Sequence, residues 1–287
     1  MQDTHNVKVL GSSPGEPTNL LSMPKERLDF SAFSMGKMWE IFWFFSIAGI
    51  FTFLCVFTFC NEAFYSPKHI FTREGYDNLD YGIPGACNQL INREGYALGY
   101  NEDWEQAAWV MYRLTEAEVL SRECDRGDYF CPDPEITTGS STTEDYWRSG
   151  YDRGHLAPAA DMRWSLKAMK ESFFMSNMSP QIPDFNRKMW KSVEDYVREM
   201  AKQEKSVFVV TGPVFFAGVA TNHIGRSRVA VPHAFFKVIY DETPPQRVEA
   251  YLVPNCITNA PVSSFAVPVD KIERLTGLKF FPRQEPE

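Results

Sequence analysis

An α+β fold is what this 287-residue sequence predicts, on three observations. Apolar runs suited to strands recur beyond the first third of the chain. A strand pair followed by a helix is legible between Tyr151 and Arg198. The strand candidates that follow are apolar nearly throughout, as strands of a sheet covered on both faces are. Hydrophobic residues make up 44% of the chain and aromatic residues 15%, which argues against disorder and allows one sizeable core.

The N-terminal region follows another pattern. Residues 1–37 mix Pro, Ser, Gly and balanced charge without hydrophobic period and read as a flexible tail. Residues 41–60, IFWFFSIAGIFTFLCVFTFC, carry no charge and are long enough to cross a bilayer as a helix. A buried core helix is the alternative, but no polar stripe interrupts the run. A cleaved signal peptide fits less well, because the run starts deep in the chain and no small-x-small site follows it. We therefore expect a transmembrane signal anchor over 38–60, a linker over 61–80 and a folded domain over 81–287. Lys25, Arg27 and Lys37 precede the run and Lys68 and Arg73 follow it, which tilts the N-terminus to the cytoplasm and the large domain away from it.

The domain opens on the turn-rich Tyr81-Gly82-Ile83-Pro84-Gly85. Residues 95–100 and 107–114 read as strands. The polar stretch 120–147 is a long loop of the kind that borders sites. It holds Cys124 and Cys131, which could pair locally and leave Cys87 with Cys256; four unpaired thiols are the alternative. A strand follows through Arg153 and His155, then a short helix over 165–172, a strand over 173–176, a proline-rich loop and a helix over 186–203. Strands are expected at 206–211, 234–240 and 248–253, and a closing helix over 269–276 stops at Gly277.

The net charge of −8 is unfavourable for binding a polyanion, so local arrangement has to compensate. Arg163, Lys167 and Lys170 recur at helical spacing, and Arg187, Lys188, Lys191, Arg198 and Lys202 decorate the next helix; solvated faces also look like this.

Residues 151–198 concentrate the chemistry. His155, with an ordinary pKa of ~6.5, is the best base in the chain, and activity that depends on it should fall as pH drops through that pKa. Arg153, two residues earlier on the same strand, projects to the same side and can neutralise charge on phosphate oxygens; Asp152 faces the other way and balances an arginine or fixes the turn. Asn186 at the helix start is either a cap or an oxygen ligand for Mg2+, which needs few protein ligands. Asn186, Trp190, Glu194 and Arg198 follow at four-residue intervals as one row. Glu194 could orient a water of the metal and Arg198 could pair with Glu194, an ordinary surface ion pair being the alternative. His223 and His233 read as structural.

Asp152-Arg153-Gly154-His155, then Ser176-Asn177-Met178-Ser179-Pro180-Gln181, then Asn186, Trp190, Glu194 and Arg198 together resemble the DNA/RNA non-specific endonuclease family. The resemblance implies a ββα-metal nuclease with a central antiparallel sheet flanked by helices. It implies His155 as general base, Asn186 as the ligand of Mg2+ (Mn2+ as an alternative), and Arg153, Glu194 and Arg198 as supporting groups. Asn177 then helps order the histidine, and an upstream arginine of the family corresponds to Arg122, with Arg126 the alternative.

The expected function is cleavage of DNA and RNA phosphodiesters by a membrane-anchored enzyme. A non-cleaving nucleic-acid receptor and a small-nucleotide phosphodiesterase are the competing readings. The bilayer is the expected partner of residues 41–60, and a homodimer is compatible with the sequence. The expected location is the bacterial periplasm or cell surface, or the mitochondrial inner membrane facing the intermembrane space.

Overall fold

The computed structural model describes residues 76–281, which belong to the unit Thr72–Glu287. The tail, the apolar run 41–60 and residues 61–75 of the expected linker lie outside the described residues. No helix among the described residues is long and apolar enough to cross a membrane.

The strands are β1 (Gln89–Asn92), β2 (Ala97–Asn101), β3 (Gln106–Thr115), β4 (Asp152–His155), β5 (Met178–Gln181), β6 (Ser206–Val214), β7 (His223–Ile224), β8 (Val229–Ala230), β9 (Ala234–Asp241) and β10 (Arg247–Pro254). Six of them form one antiparallel sheet in the order β1-β2-β3-β6-β9-β10. Alternation along the central strands sends Val207, Val209, Phe235 and Ile239 into one core cluster and Phe208, Val210, Phe236 and Val238 into the other. The sheet is thus buried on both faces, as the unbroken apolar runs predict.

The helices are α1 (Glu116–Leu120), α2 (Leu166–Glu171), α3 (Lys191–Glu204) and α4 (Val269–Thr276). On one face of the sheet α3 packs Val193, Val197, Met200 and Ala201; on the other, Ile272 of α4 packs with Leu278 and Phe280. Gly277 ends α4 with φ of 73°, a left-handed cap that glycine adopts without a Cβ clash. The short α1 was not expected, although its capping box is present in the sequence: Thr115 accepts from the Glu118 backbone and the Glu118 carboxylate returns to the Thr115 N–H.

Apart from the main sheet, β4 and β5 form a two-stranded antiparallel ribbon that pairs Gly154 with Ser179 and His155 with Met178. A Cβ at Gly154 would fall 2.1 Å from the buried Gln181 side chain, so any larger residue at the third position of Asp-Arg-Gly-His would force Gln181 to move. Asn255 fastens the ribbon at the end of β10: its Nδ2 donates to Pro180 O (3.0 Å) and Pro232 O (3.1 Å), and its Oδ1 accepts from Ile182 N (3.0 Å).

Two expectations are corrected. The strand expected at 173–176 is instead a 3-10 turn over Met175–Asn177, and the chain extends only from Met178. Met175 N bonds Cys131 O (3.0 Å) and Asn177 N bonds Phe174 O (2.9 Å), which bends the backbone before it can join the ladder. The disulfides Cys124–Cys131 and Cys87–Cys256 are not formed; all four thiols are free. Cys124 Sγ is directed at Arg163 O (3.5 Å), Cys87 packs at the margin of a core cluster, and Cys256 is exposed.

Candidate active site

A cavity of about 870 Å³ opens between the β4–β5 ribbon and the start of the α3 segment. His155, Arg153, Asn186, Glu194 and Arg198 all line it, so five of the residues singled out in the sequence converge on one space. Arg126, Arg187 and Lys191 add positive charge to its walls. A chain of net charge −8 can in this way hold a polyanion locally.

On the ribbon wall His155 is 8% exposed, and no hydrogen-bond partner meets its Nε2 among the described residues. Its ring contacts Phe130 (centroids 5.6 Å apart) and Phe173 (4.8 Å), which touch each other at 4.8 Å. Each phenyl ring also carries a guanidinium: Arg153 lies 3.9 Å from the Phe130 centroid and Arg126 lies 5.4 Å from that of Phe173. Burial lowers the imidazole pKa to about 3, and the charges of Arg126 and Arg153 push in the same direction. His155 is therefore neutral at physiological pH, and its Nε2 is buried without a partner among the described residues.

Asn177 lies behind this wall, fully buried, and is not part of the cavity lining. Its Oδ1 accepts from Ala157 N (2.9 Å), its Nδ2 donates to Ala157 O (2.9 Å) and Ser172 O (2.7 Å), and its backbone O accepts from Leu156 N (3.0 Å). It clamps the two residues that follow His155, so its action on the histidine runs through the backbone.

The facing wall begins with a π-helical turn, Phe185–Trp190, that leads into α3. The sequence reading expected one regular helix here; π-turns of this kind concentrate at functional sites. Trp190, the second member of the expected row, is buried against Phe185 (5.5 Å) and Phe235 (5.6 Å), while its row-mates line the cavity. Asn186 Nδ2 donates to Asp152 Oδ2 (3.0 Å), and Arg187 grips both oxygens of the same carboxylate at 2.8 Å. Asp152 balances an arginine, as expected, but it lines the cavity and ties ribbon to helix rather than facing away.

Arg198 does not form the expected pair with Glu194. Its Nη1 bonds the buried Asp161 (2.7 Å) and its Nη2 bonds Asp195 (2.5 Å), because Asp161 sits on the 3-10 turn Ala159–Met162 just beyond His155 and reaches the guanidinium first. Burial works against the Arg198 charge, yet Asp161 and Asp195 more than offset it and raise its pKa. Glu194 is pushed above the usual carboxylate range by burial, a tendency opposed by Lys237 and Arg198 and reinforced by Asp161.

Lys237 is a residue the sequence reading passed over. It projects from β9 with no exposure and, among the described residues, no hydrogen-bond partner for Nζ, which lies 4.9 Å from the Trp190 ring centroid, and burial lowers its pKa. A lone lysine inside AFFKVIY was the available signal. Arg122 lies outside the cavity lining: its Nη1 caps α1 by donating to Val119 O (2.7 Å). Of the two candidates for the upstream arginine, Arg126 is the one that faces His155. His223 sits in the β7–β8 hairpin, and His233 stacks on Phe216 and accepts from its N–H at 3.0 Å.

No group of three or more His, Cys, Asp or Glu able to hold a metal ion occurs among the described residues. Oxygen-bearing side chains on the cavity include Asn186, whose amide nitrogen is committed to Asp152, and the carboxylates of Glu194, Glu144 and Asp152, the last engaged by Asn186 and Arg187. This sparse all-oxygen set fits Mg2+, which retains most of its waters and takes its other ligands from substrate phosphate.

Residues 74–287 match the profile of the DNA/RNA non-specific endonuclease family. Human mitochondrial endonuclease G is 38% identical over 219 residues, spanning 70% of this chain and 72% of that protein. The mitochondrial nuclease of Saccharomyces cerevisiae is 35% identical over 241 residues, spanning 76% and 73% respectively. Among solved structures, a complex of endonuclease G with its inhibitor EndoGI superposes with a TM-score of 0.69 at 35% identity, covering 76% of this chain and 95% of that one. The antiparallel sheet with a helix on each face and the ribbon-and-helix cavity are accordingly those of a nuclease, and the chain belongs to the DNA/RNA non-specific endonuclease family.

Proposed function

We propose that the protein is a Mg2+-dependent, sugar-non-specific endonuclease that hydrolyses DNA and RNA phosphodiesters. The observation that carries this reading is a neutral, nearly buried imidazole that lines one cation-rich cavity together with Asn186 and Glu194. His155 takes a proton from the water that attacks phosphorus. Arg153 and Arg126 meet the charge that grows on the non-bridging oxygens. Asn186 and Glu194 would hold Mg2+ or its waters, Arg198 and Asp161 fix the helix that presents them, and Asn177 holds the backbone beyond His155. When bound, Mg2+ supplies charge neutralisation at the phosphate and at the departing oxygen. Contacts to phosphate and metal carry no base information, so little sequence preference is expected.

The direct test incubates the full-length chain with plasmid DNA and with RNA, with Mg2+ and with EDTA. Mg2+-dependent cleavage of both polymers supports the reading. Binding without turnover in any divalent metal would instead favour a receptor, and turnover confined to small nucleotides a phosphodiesterase.

We further propose that residues 41–60 anchor the chain in a membrane, with the boundaries given by the sequence reading and the nuclease domain outside the cytoplasm. Relatives described as mitochondrial favour the inner membrane facing the intermembrane space over a bacterial surface. Protease protection in intact mitochondria and in mitoplasts checks this: digestion of the nuclease domain only after rupture of the outer membrane is expected.

A further inference from the structure

At the mouth of the cleft, away from the residues assigned to the reaction, two features are individually unfavourable. Trp147 is 74% exposed and lines the same cavity as His155, whereas Tyr146 beside it is buried. The next residue, Arg148, also lines the cavity and holds φ at +54°, the left-handed region that residues with a Cβ avoid.

The corner is built rather than loose. Tyr146 packs with Met175, Met178, Ile224, Val229 and Val231. The turn is closed by Trp147 N to Glu144 O (3.1 Å), Ser149 N to Tyr146 O (3.2 Å) and the Ser149 hydroxyl to the same carbonyl (2.9 Å). The Arg148 guanidinium lies 5.5 Å from the indole centroid. Among the described residues Arg148 is the ring's partner, and no apolar burial accounts for an indole held in this place, while strain is tolerated next to it. Arg148, Arg187 and Lys191 line the same cavity and can meet backbone phosphates.

We propose that Trp147, flanked by Arg148, is a nucleobase-stacking subsite at the entrance of the cleft, which takes an unpaired base of single-stranded DNA or RNA. The inference rests on the nuclease reading above and deepens it by naming the favoured form of substrate. Stacking on an indole requires an uncovered base face. In a duplex each face is covered by its neighbours, whereas a single strand offers them freely. Because every base has such a face, the subsite adds affinity without adding sequence preference.

The test compares the full-length wild type with Trp147→Ala and Trp147→Phe on single-stranded and duplex DNA of equal length, at one salt concentration. Trp147→Ala should raise KM for the single strand roughly five- to tenfold, the lower part of the range that base–aromatic stacking commands. KM for the duplex should move within about twofold, and Trp147→Phe should restore most of the single-strand loss. Equal shifts on both substrates, no shift on either, or a phenylalanine variant as impaired as the alanine one would overturn the proposal. Absence of cleavage by the wild type would count against the nuclease reading, not the subsite. Anisotropy of a labelled single-stranded oligonucleotide then decides the subsite: weaker binding to Trp147→Ala supports it and unchanged binding refutes it.

Discussion

The two walls of the cleft are built on opposite principles. The ribbon wall surrounds His155 with Phe130 and Phe173, and the charges that act on its imidazole, Arg126 and Arg153, are positive, so it stays neutral. The helix wall works through charges of both signs: Arg187 grips Asp152 of the ribbon, Arg198 pairs with Asp161 and Asp195, and Glu194 feels the charge of Lys237. One wall keeps an imidazole neutral by burial, and the other holds carboxylates and guanidiniums in an ionic lattice. The difference teaches that one cavity can carry a neutral imidazole beside paired charges, because burial and ion pairing act on residues of different elements.

The largest break in that contrast comes from His155→Ala. Removal of the general base should reduce cleavage by about 10²- to 10⁴-fold in a single-turnover assay. Because the imidazole packs between two phenyl rings, truncation leaves a gap, and calorimetry should show Tm lowered by a few degrees rather than unchanged.

On the other wall Asn186→Ala should raise the Mg2+ concentration for half-maximal activity by on the order of tenfold or more, the effect that even outer partners of metal ligands command. A wild-type metal titration in that variant would remove Asn186 from the ligand set.

A smaller effect sharpens the ribbon wall. Arg126→Ala should lower kcat/KM on the order of tenfold, whereas Arg122→Ala, which loses only a helix-capping contact, should stay within about twofold. The reverse order would restore Arg122 as the family's upstream arginine.

The pH dependence separates the walls most finely. With its pKa held near 3, His155 should titrate by NMR far below its ordinary ~6.5, so its neutral form persists at about pH 5. An acid limb nearer neutrality would then belong to Glu194, whose pKa is raised, and Glu194→Gln should abolish it. The linkage to stability follows the same sign. The folded-state pKa of His155 lies below its unfolded value, so its contribution is complete above about 6.5 and is lost as pH falls toward 3, where the unfolded chain has already taken up the proton.

Much of this was written in local pattern. The alternation in SVFVVT and AFFKVIY marks a sheet buried on both faces whatever the order of its strands. Asp152-Arg153-Gly154-His155 places Arg153 and His155 on one side by the two-residue period of a strand, and a Cβ at Gly154 would meet the Gln181 side chain across the ribbon. The four-residue row of the helix was legible too, but the π-turn at Phe185–Trp190 shifts its phase and sends Trp190 into the core.

By itself the sequence determined the long strands of the sheet, the two-faced core and the chemical types assembled around residues 151–198, because these depend on periods of two to four residues and on side-chain identity. Only the tertiary structure decided that Phe130, Phe173 and Arg126 enclose His155, that Arg198 answers to Asp161, that Glu194 feels the charge of Lys237 and that the four thiols stay apart. Ion-pair choice, thiol pairing and a displaced pKa depend on separations of a few ångströms between residues far apart in the chain, and those separations are set by how the ribbon and helix dock on the sheet.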